Sequence, residues 1–180
     1  MSPYAQGKVD RARELYLSGY NCAQAVFAAF AEEMKVPVET ALKIASGMGG
    51  GIGGLRETCG AVSAMALVLG TLRGYNDAAD YEGKKELYAA VQRLHGEFCK
   101  EYETSNCRQL LISAGIAASN VPAERTPEYY RKRPCYRYIE KAAQLLAEEL
   151  EVHNPRGGSH PDSAFCSGVS FGNATRNTGR

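Results

Sequence analysis

Residues 46–72 read SGMGGGIGGLRETCGAVSAMALVLGTL. Six glycines fall between Gly47 and Gly54. No regular helix or strand survives that density, because glycine gives up the most chain entropy on ordering and offers no side chain to pack. The segment from Cys59 to about Leu72 is the opposite, a very apolar run at helical spacing. A flexible loop therefore leads straight into a buried helix. Outward from this point the helical pattern continues, over Val9–Leu17, Cys22–Met34, Val38–Ser46, Tyr81–Tyr102, Cys107–Ser113 and Pro127–Leu150. Strand signals are nearly missing. The predicted fold is all-α, a helical bundle with one glycine-rich crossing loop. Residues 1–151 are expected to form the helical domain. Residues 152–180 are rich in Gly, Ser, Asn and Pro, and read as an extended or disordered tail that could lie across the bundle or a partner subunit.

The bulk properties narrow the function. The 180 residues suffice for one domain with a real core, 44% of them hydrophobic and 23% charged. Lys and Arg total 21 against 20 Asp and Glu, a net charge of +1, so nothing electrostatic points to nucleic acid or an anionic membrane. The longest apolar stretch, near Ala64–Leu69, is far short of the roughly 20 residues that span a bilayer. The opening MSPYAQGKVDRAREL has no apolar segment after a basic start, so no secretory signal is expected and the cytoplasm is the default location. Six cysteines in a reducing compartment read as metal ligands, redox groups or small buried hydrophobes rather than disulfide staples.

Four of the six share one local grammar. Asn21 is placed to cap a helix beginning at Cys22, Thr58 one beginning at Cys59, and Asn106 one beginning at Cys107. Cys135 follows Pro134, a residue suited to a first helical turn, although that helix could start earlier, near Pro127. A helix start presents unpaired N–H groups and partial positive charge, which lowers a thiol's pKa and favours the thiolate that binds metal or attacks disulfides. Packing cysteines at helix starts are the plainer alternative. Cys99, late in a long helix, and Cys166, in the tail, lack this context.

GYNCAQAV around Cys22, SGMGGGIGGLRETCGAVSA leading to Cys59, NCRQLL around Cys107 and the single Cys135 together resemble the C-GCAxxG-C-C family of redox-active proteins, over roughly Val9 to Leu150. The family's four characteristic cysteines match Cys22, Cys59, Cys107 and Cys135. One departure is Ala64, where the family motif would place glycine. The family is similar to the iron–sulfur part of split-Soret cytochromes, which also carry c-type haems; this chain has no C-x-x-C-H segment for covalent haem attachment. The resemblance implies a helical domain able to hold an iron–sulfur cluster through the four cysteines.

Several chemistries are compatible with these residues. The first is a cluster, most simply [2Fe–2S], ligated by thiolates 37, 48 and 28 residues apart. Gly49, Gly50 and Gly51 of the loop and Gly60 beside Cys59 would then let backbone approach the sulfurs. Arg56 and Arg108 would offset the negative charge, or serve as ordinary surface arginines. The second is thiol–disulfide exchange without metal, for which no C-x-x-C pair is present. A structural zinc site would usually show paired knuckles, also lacking. A helical binding or scaffold protein with packing cysteines is the remaining class. GMGGGIGG is not followed by G-K-[ST], so a phosphate loop is not supported, and a dinucleotide fold lacks its parallel strands. His95 reads as a surface or packing residue, His153 and His160 as unsupported ligands, and Glu57 as an acid near a helix N-terminus or a proton-handling group. RTPEYYRKRPCYRY mixes basic residues with tyrosines that could stack on nucleic acid, but the neutral overall charge favours a helix entry. The expected role is an electron carrier or oxidoreductase with an unknown electron-transfer partner, no nucleic acid and no membrane insertion. The apolar helix after Cys59 leaves room for a homodimer.

Overall fold

Eight α-helices carry the chain in a computed structural model that describes residues 1–153; residues 154–180, with Cys166, His160 and most of the expected tail, lie outside the described residues. The helices are α1 (Pro3–Leu17), α2 (Cys22–Ala29), α3 (Val38–Ala45), α4 (Gly60–Arg73), α5 (Tyr81–Tyr102), α6 (Cys107–Ile112), α7 (Pro127–Lys132) and α8 (Cys135–His153). A single turn of 3-10 helix, Ser46–Met48, follows α3. Among the described residues there is no strand, only one isolated bridge between Thr58 and Asn106, as an all-α fold requires. None of their helices is long and apolar enough to cross a membrane.

The hub is α2. Ala23, Ala25, Val26, Phe27, Ala28 and Ala29 are all buried, and a helix apolar around its circumference must be surrounded. It packs against α1, α3, α4 and α8. Its alanines allow close approach, and Phe27, with Phe30 just past the helix end, fills the interior. The helix stops at Ala29 rather than continuing to Met34. Phe30, Ala31 and Met34 still reach the core through a series of turns that ends with Lys35 at φ +54. Residues 127–150 likewise split in two. Arg133 sits in the extended region, as the residue before a proline prefers, so Pro134 ends one helix and Cys135 begins the next. The division is what leaves Cys135 at a helix start.

The far end of α8 is tied down by a buried carboxylate. Glu149 accepts from Arg73 Nη1 of α4 at 3.0 Å and from Arg93 of α5 through Nη2 at 2.6 Å and Nε at 3.1 Å, joining three helices. Burial alone would raise this carboxyl, but the hydrogen bonds from Arg93 and Arg73 outweigh it and hold it below its usual range. A depressed carboxyl stabilises the fold above the ordinary Glu pKa of about 4.3, and that stabilisation is lost as pH falls through the folded value. Glu149→Gln is therefore expected to destabilise the protein by about 2 kcal/mol at neutral pH, lowering Tm by roughly 4–8 °C. The gap between wild type and variant should close below about pH 4. Thermal melts across pH check this, and a gap independent of pH would refute it.

Candidate functional site

Two short segments, one leading into α4 and the other into the first turn of α6, build the site. Residues 56–59 lie antiparallel to residues 105–108. The Cys59 N–H donates to the Ser105 carbonyl at 2.7 Å, the Cys107 N–H to the Glu57 carbonyl at 2.6 Å, and the Arg108 N–H to the Arg56 carbonyl at 3.1 Å. This clasp sets the start of α4 beside the start of α6. Asn106 caps α6 by accepting from the Arg108 and Gln109 N–H groups. Asn21 caps α2 in a capping box with Gln24. Cys59 is itself the residue before α4 rather than its first turn, and Thr58 makes the bridge to Asn106 instead of a cap.

Cys22, Cys59, Cys107 and Cys135 line one cavity of about 20 Å³, closed by Leu110, Leu111 and Tyr138. That volume holds about one water-sized molecule. Cys59 and Cys107 are buried, Cys22 and Cys135 half-buried. The Tyr138 hydroxyl donates to the Leu110 carbonyl at 3.1 Å, so this wall presents no free polar group from that tyrosine. Cys99 lies elsewhere, with its sulfur 3.8 Å from His95 Nε2. A larger groove of about 550 Å³, lined by residues of α4 and α5 such as Val62, Met65, Leu67, Val91 and His95, carries no thiol and no acidic or basic side chain other than that histidine.

The glycine loop reaches this cavity. The Gly50 N–H lies near enough to the Cys22 thiol to help lower its pKa. A Cβ on Gly51, which sits at φ +68, would stand 2.7 Å from the Cys107 Cβ. A Cβ on Gly60 would stand 2.7 Å from the Cys22 sulfur and 2.8 Å from the Met48 carbonyl. Gly49 packs against Asn21, the cap of α2, rather than against a sulfur. Arg56 is buried at 6% exposure, points Nη1 at the Cys107 sulfur (3.8 Å) and anchors Nε on the Ser119 carbonyl at 2.7 Å. Arg108 is exposed and reaches the Leu55 carbonyl instead, at 3.4 Å.

Proton affinities at the four sulfurs diverge. A hydrogen bond with the Cys59 thiol brings Cys22 down to about 6, against the effect of burial and with help from the Gly50 and Ala23 N–H groups. Cys59 is raised well above its ordinary value as the partner in that bond, and by burial. Burial also raises Cys107, opposed by Arg56, and pushes Cys135 up to about 12, with the Cys22 charge adding to it. The helix-start pattern predicts lowering at all four sites; only Cys22 follows it. Packed sulfurs in an apolar cavity repel one another's charge, so one ionises readily and its charge holds the others protonated.

The cofactor that the sequence resemblance implies is an iron–sulfur cluster, and the donors present fit one. Four thiols surround the cavity with no competing side-chain ligand among its lining residues. Among the described residues no three His, Cys, Asp or Glu side chains are disposed to hold a single metal ion. A binuclear centre asks for two protein ligands at each iron. Among the described residues two buried donors also lack hydrogen-bond partners, the Tyr16 hydroxyl and Arg125 Nη1. The residue pattern did not single out Tyr16, Arg125, Leu110, Leu111 or Tyr138 as site residues. Leu110, Leu111 and Tyr138 reach the cavity through tertiary packing, and none of the five carries a local signal.

In metal-free protein, iodoacetamide is expected to modify Cys22 first, at a rate rising through about pH 6. Cys59, Cys107 and Cys135 should stay slow until alkaline pH. Mass-spectrometric mapping reads this directly, and equal rates at all four would contradict it. Gly60→Ala is expected to cost about 1–3 kcal/mol by driving a methyl into the Cys22 sulfur and the Met48 carbonyl. Gly96→Ala, in the interior of α5 with nothing within 4 Å, should stabilise by about 0.5–1 kcal/mol. Denaturant melts of the two variants check the contrast.

Comparison with curated proteins gives no match, and comparison with solved structures gives none. The family model described as "Putative redox-active protein (C_GCAxxG_C_C)" matches residues 20–149, which span all four cavity cysteines. The chain belongs to that family.

Proposed function

We propose that this protein is an electron-transfer protein in which Cys22, Cys59, Cys107 and Cys135 hold an iron–sulfur cluster, most simply [2Fe–2S]. The observation that carries the proposal is the gathering of four thiols, from the starts of α2, α4, α6 and α8, around one cavity that offers no other ligand. Membership of a family described as redox-active supports it. When bound, the group supplies reversible one-electron transfer. The four sulfurs would bind it as thiolates. The Gly50 N–H would donate to the Cys22 sulfur and the Arg56 guanidinium to the Cys107 sulfur, both favouring negative charge there. Leu110, Leu111 and Tyr138 exclude water from the other wall.

A second chemistry is favoured by one specific observation, the placing of Cys22 and Cys59 on one cavity with their proton affinities shifted in opposite directions. Without metal, the Cys22 thiolate would attack a substrate disulfide and release one substrate thiolate, forming a mixed disulfide. Cys59 would then displace the second substrate thiol, leaving a Cys22–Cys59 disulfide.

Anaerobic purification followed by an ultraviolet–visible spectrum and iron and sulfide assays tests the first proposal. About two irons and two sulfides per chain are expected. Cys59→Ser should bleach the visible bands, and Cys99→Ser should leave them intact. Absence of iron after reconstitution, with two thiols lost on oxidation and mapped to Cys22 and Cys59, would replace the cluster with the disulfide chemistry.

A further inference from the structure

Tyr16 is the anomaly among the buried side chains. It lies in α1 at 1% exposure, its ring edge-on to Tyr130 with centroids 5.3 Å apart and capped by the Arg125 guanidinium at 5.5 Å. Its hydroxyl makes no hydrogen bond of good geometry among the described residues. The Tyr129 hydroxyl and the Cys135 thiol both lie close enough to interact with it. A buried hydroxyl with no partner is destabilising, and phenylalanine would fill the same space without that penalty. Arg125 repeats the pattern. Its guanidinium stacks on Tyr129 at 4.6 Å as well as on Tyr16, one of its nitrogens is buried with no partner, and its charge bears on Cys22. Among the described residues two unsatisfied donors therefore lie one over the other, and each bears on a cavity thiol, Tyr16 on Cys135 and Arg125 on Cys22.

A neutral thiol is a weak hydrogen-bond acceptor, whereas a ligand thiolate sulfur is a strong one. Donors left unsatisfied beside thiols are thus matched to sulfurs that carry negative charge. We propose that Tyr16 is a positioning residue of the redox centre, its hydroxyl donating a hydrogen bond to the ligand sulfur of Cys135, with Arg125 holding the ring in place and aligned toward the same sulfur set. This inference rests on the iron–sulfur proposal above. Hydrogen bonds to ligand sulfur stabilise the more negative, reduced state and so raise the reduction potential.

The test uses Tyr16→Phe in the full chain. Metal-free Tyr16→Phe should melt at or above the wild-type temperature, because an unsatisfied hydroxyl has been removed. The reconstituted variant should lose its cluster to a chelator roughly tenfold faster than wild type and show a lower midpoint potential. Arg125→Met should shift both quantities in the same direction. A metal-free variant that melts below wild type would overturn the proposal, since the hydroxyl would then have a structural partner. Unchanged chelator lifetime and potential would overturn it too, as would a response confined to Arg125→Met, which would be an effect of charge alone. Should wild type take up no iron and sulfide, the cluster proposal itself fails. Cadmium(II) titration of the four thiols then reads the Tyr16 claim alone: a roughly tenfold weaker affinity in Tyr16→Phe sustains it, and equal affinity refutes it.

Discussion

Two backbone hydrogen bonds, Cys59 N–H to the Ser105 carbonyl and Cys107 N–H to the Glu57 carbonyl, hold together parts of the chain nearly fifty residues apart. Neither segment has a partner within its own helix at these positions, so the pairing satisfies polar groups that burial would otherwise leave unmatched. It also fixes the two buried thiols relative to each other before any side chain contributes. The glycine loop can then fold across them, because Gly51 leaves space for the Cys107 side chain and Gly60 leaves space for the Cys22 sulfur. α2 brings Cys22 in from the opposite side by packing its apolar circumference between α1, α4 and α8.

The arrangement shows why a thiol-rich site demands specific geometry rather than sulfur alone. Four acidic groups pressed into one apolar cavity cannot all ionise: the interaction with Cys22 and burial raise Cys59, and burial raises Cys107 and Cys135. The hydrogen bond to Cys59 singles out Cys22 as the first to lose its proton. Negative charge on the remaining sulfurs needs compensation, and Arg56 at the Cys107 sulfur is one source of it. The buried arginine at φ +66 ends the glycine loop and so belongs both to the loop's path and to the electrostatics of the site.

Much of this was legible in the residues. Capping residues and the apolar run after Cys59 marked the helices, and Tyr81–Tyr102 is where the amphipathic pattern placed it. The four-cysteine set was legible because each member follows a capping-type residue or a proline, a signal contained within three or four residues, even though Thr58 bridges Asn106 instead of capping. What escaped was non-local. The clasp between residues 56–59 and 105–108 leaves no periodic trace, since each strand-like piece is too short to alternate. The break at Arg133–Pro134 was half legible, since Pro134 marked a helix start at Cys135 while a start near Pro127 stayed open, and the proline's restriction on its predecessor decides for two helices. Helix-end electrostatics suggested four activated thiols, but how deeply each sulfur lies depends on packing that spacing does not encode.

The four sulfurs are contributed by segments spread between positions 22 and 135, so no short fragment contains the site. Each intervening loop must close, at an entropic cost that grows only slowly with its length, before any two sulfurs meet. Assembly of the donor set is thus a late and cooperative event, inseparable from completion of the core around α2. A polypeptide still emerging in synthesis would have no four-thiol cavity until α8 has docked, which makes the site itself a readout of the finished tertiary structure.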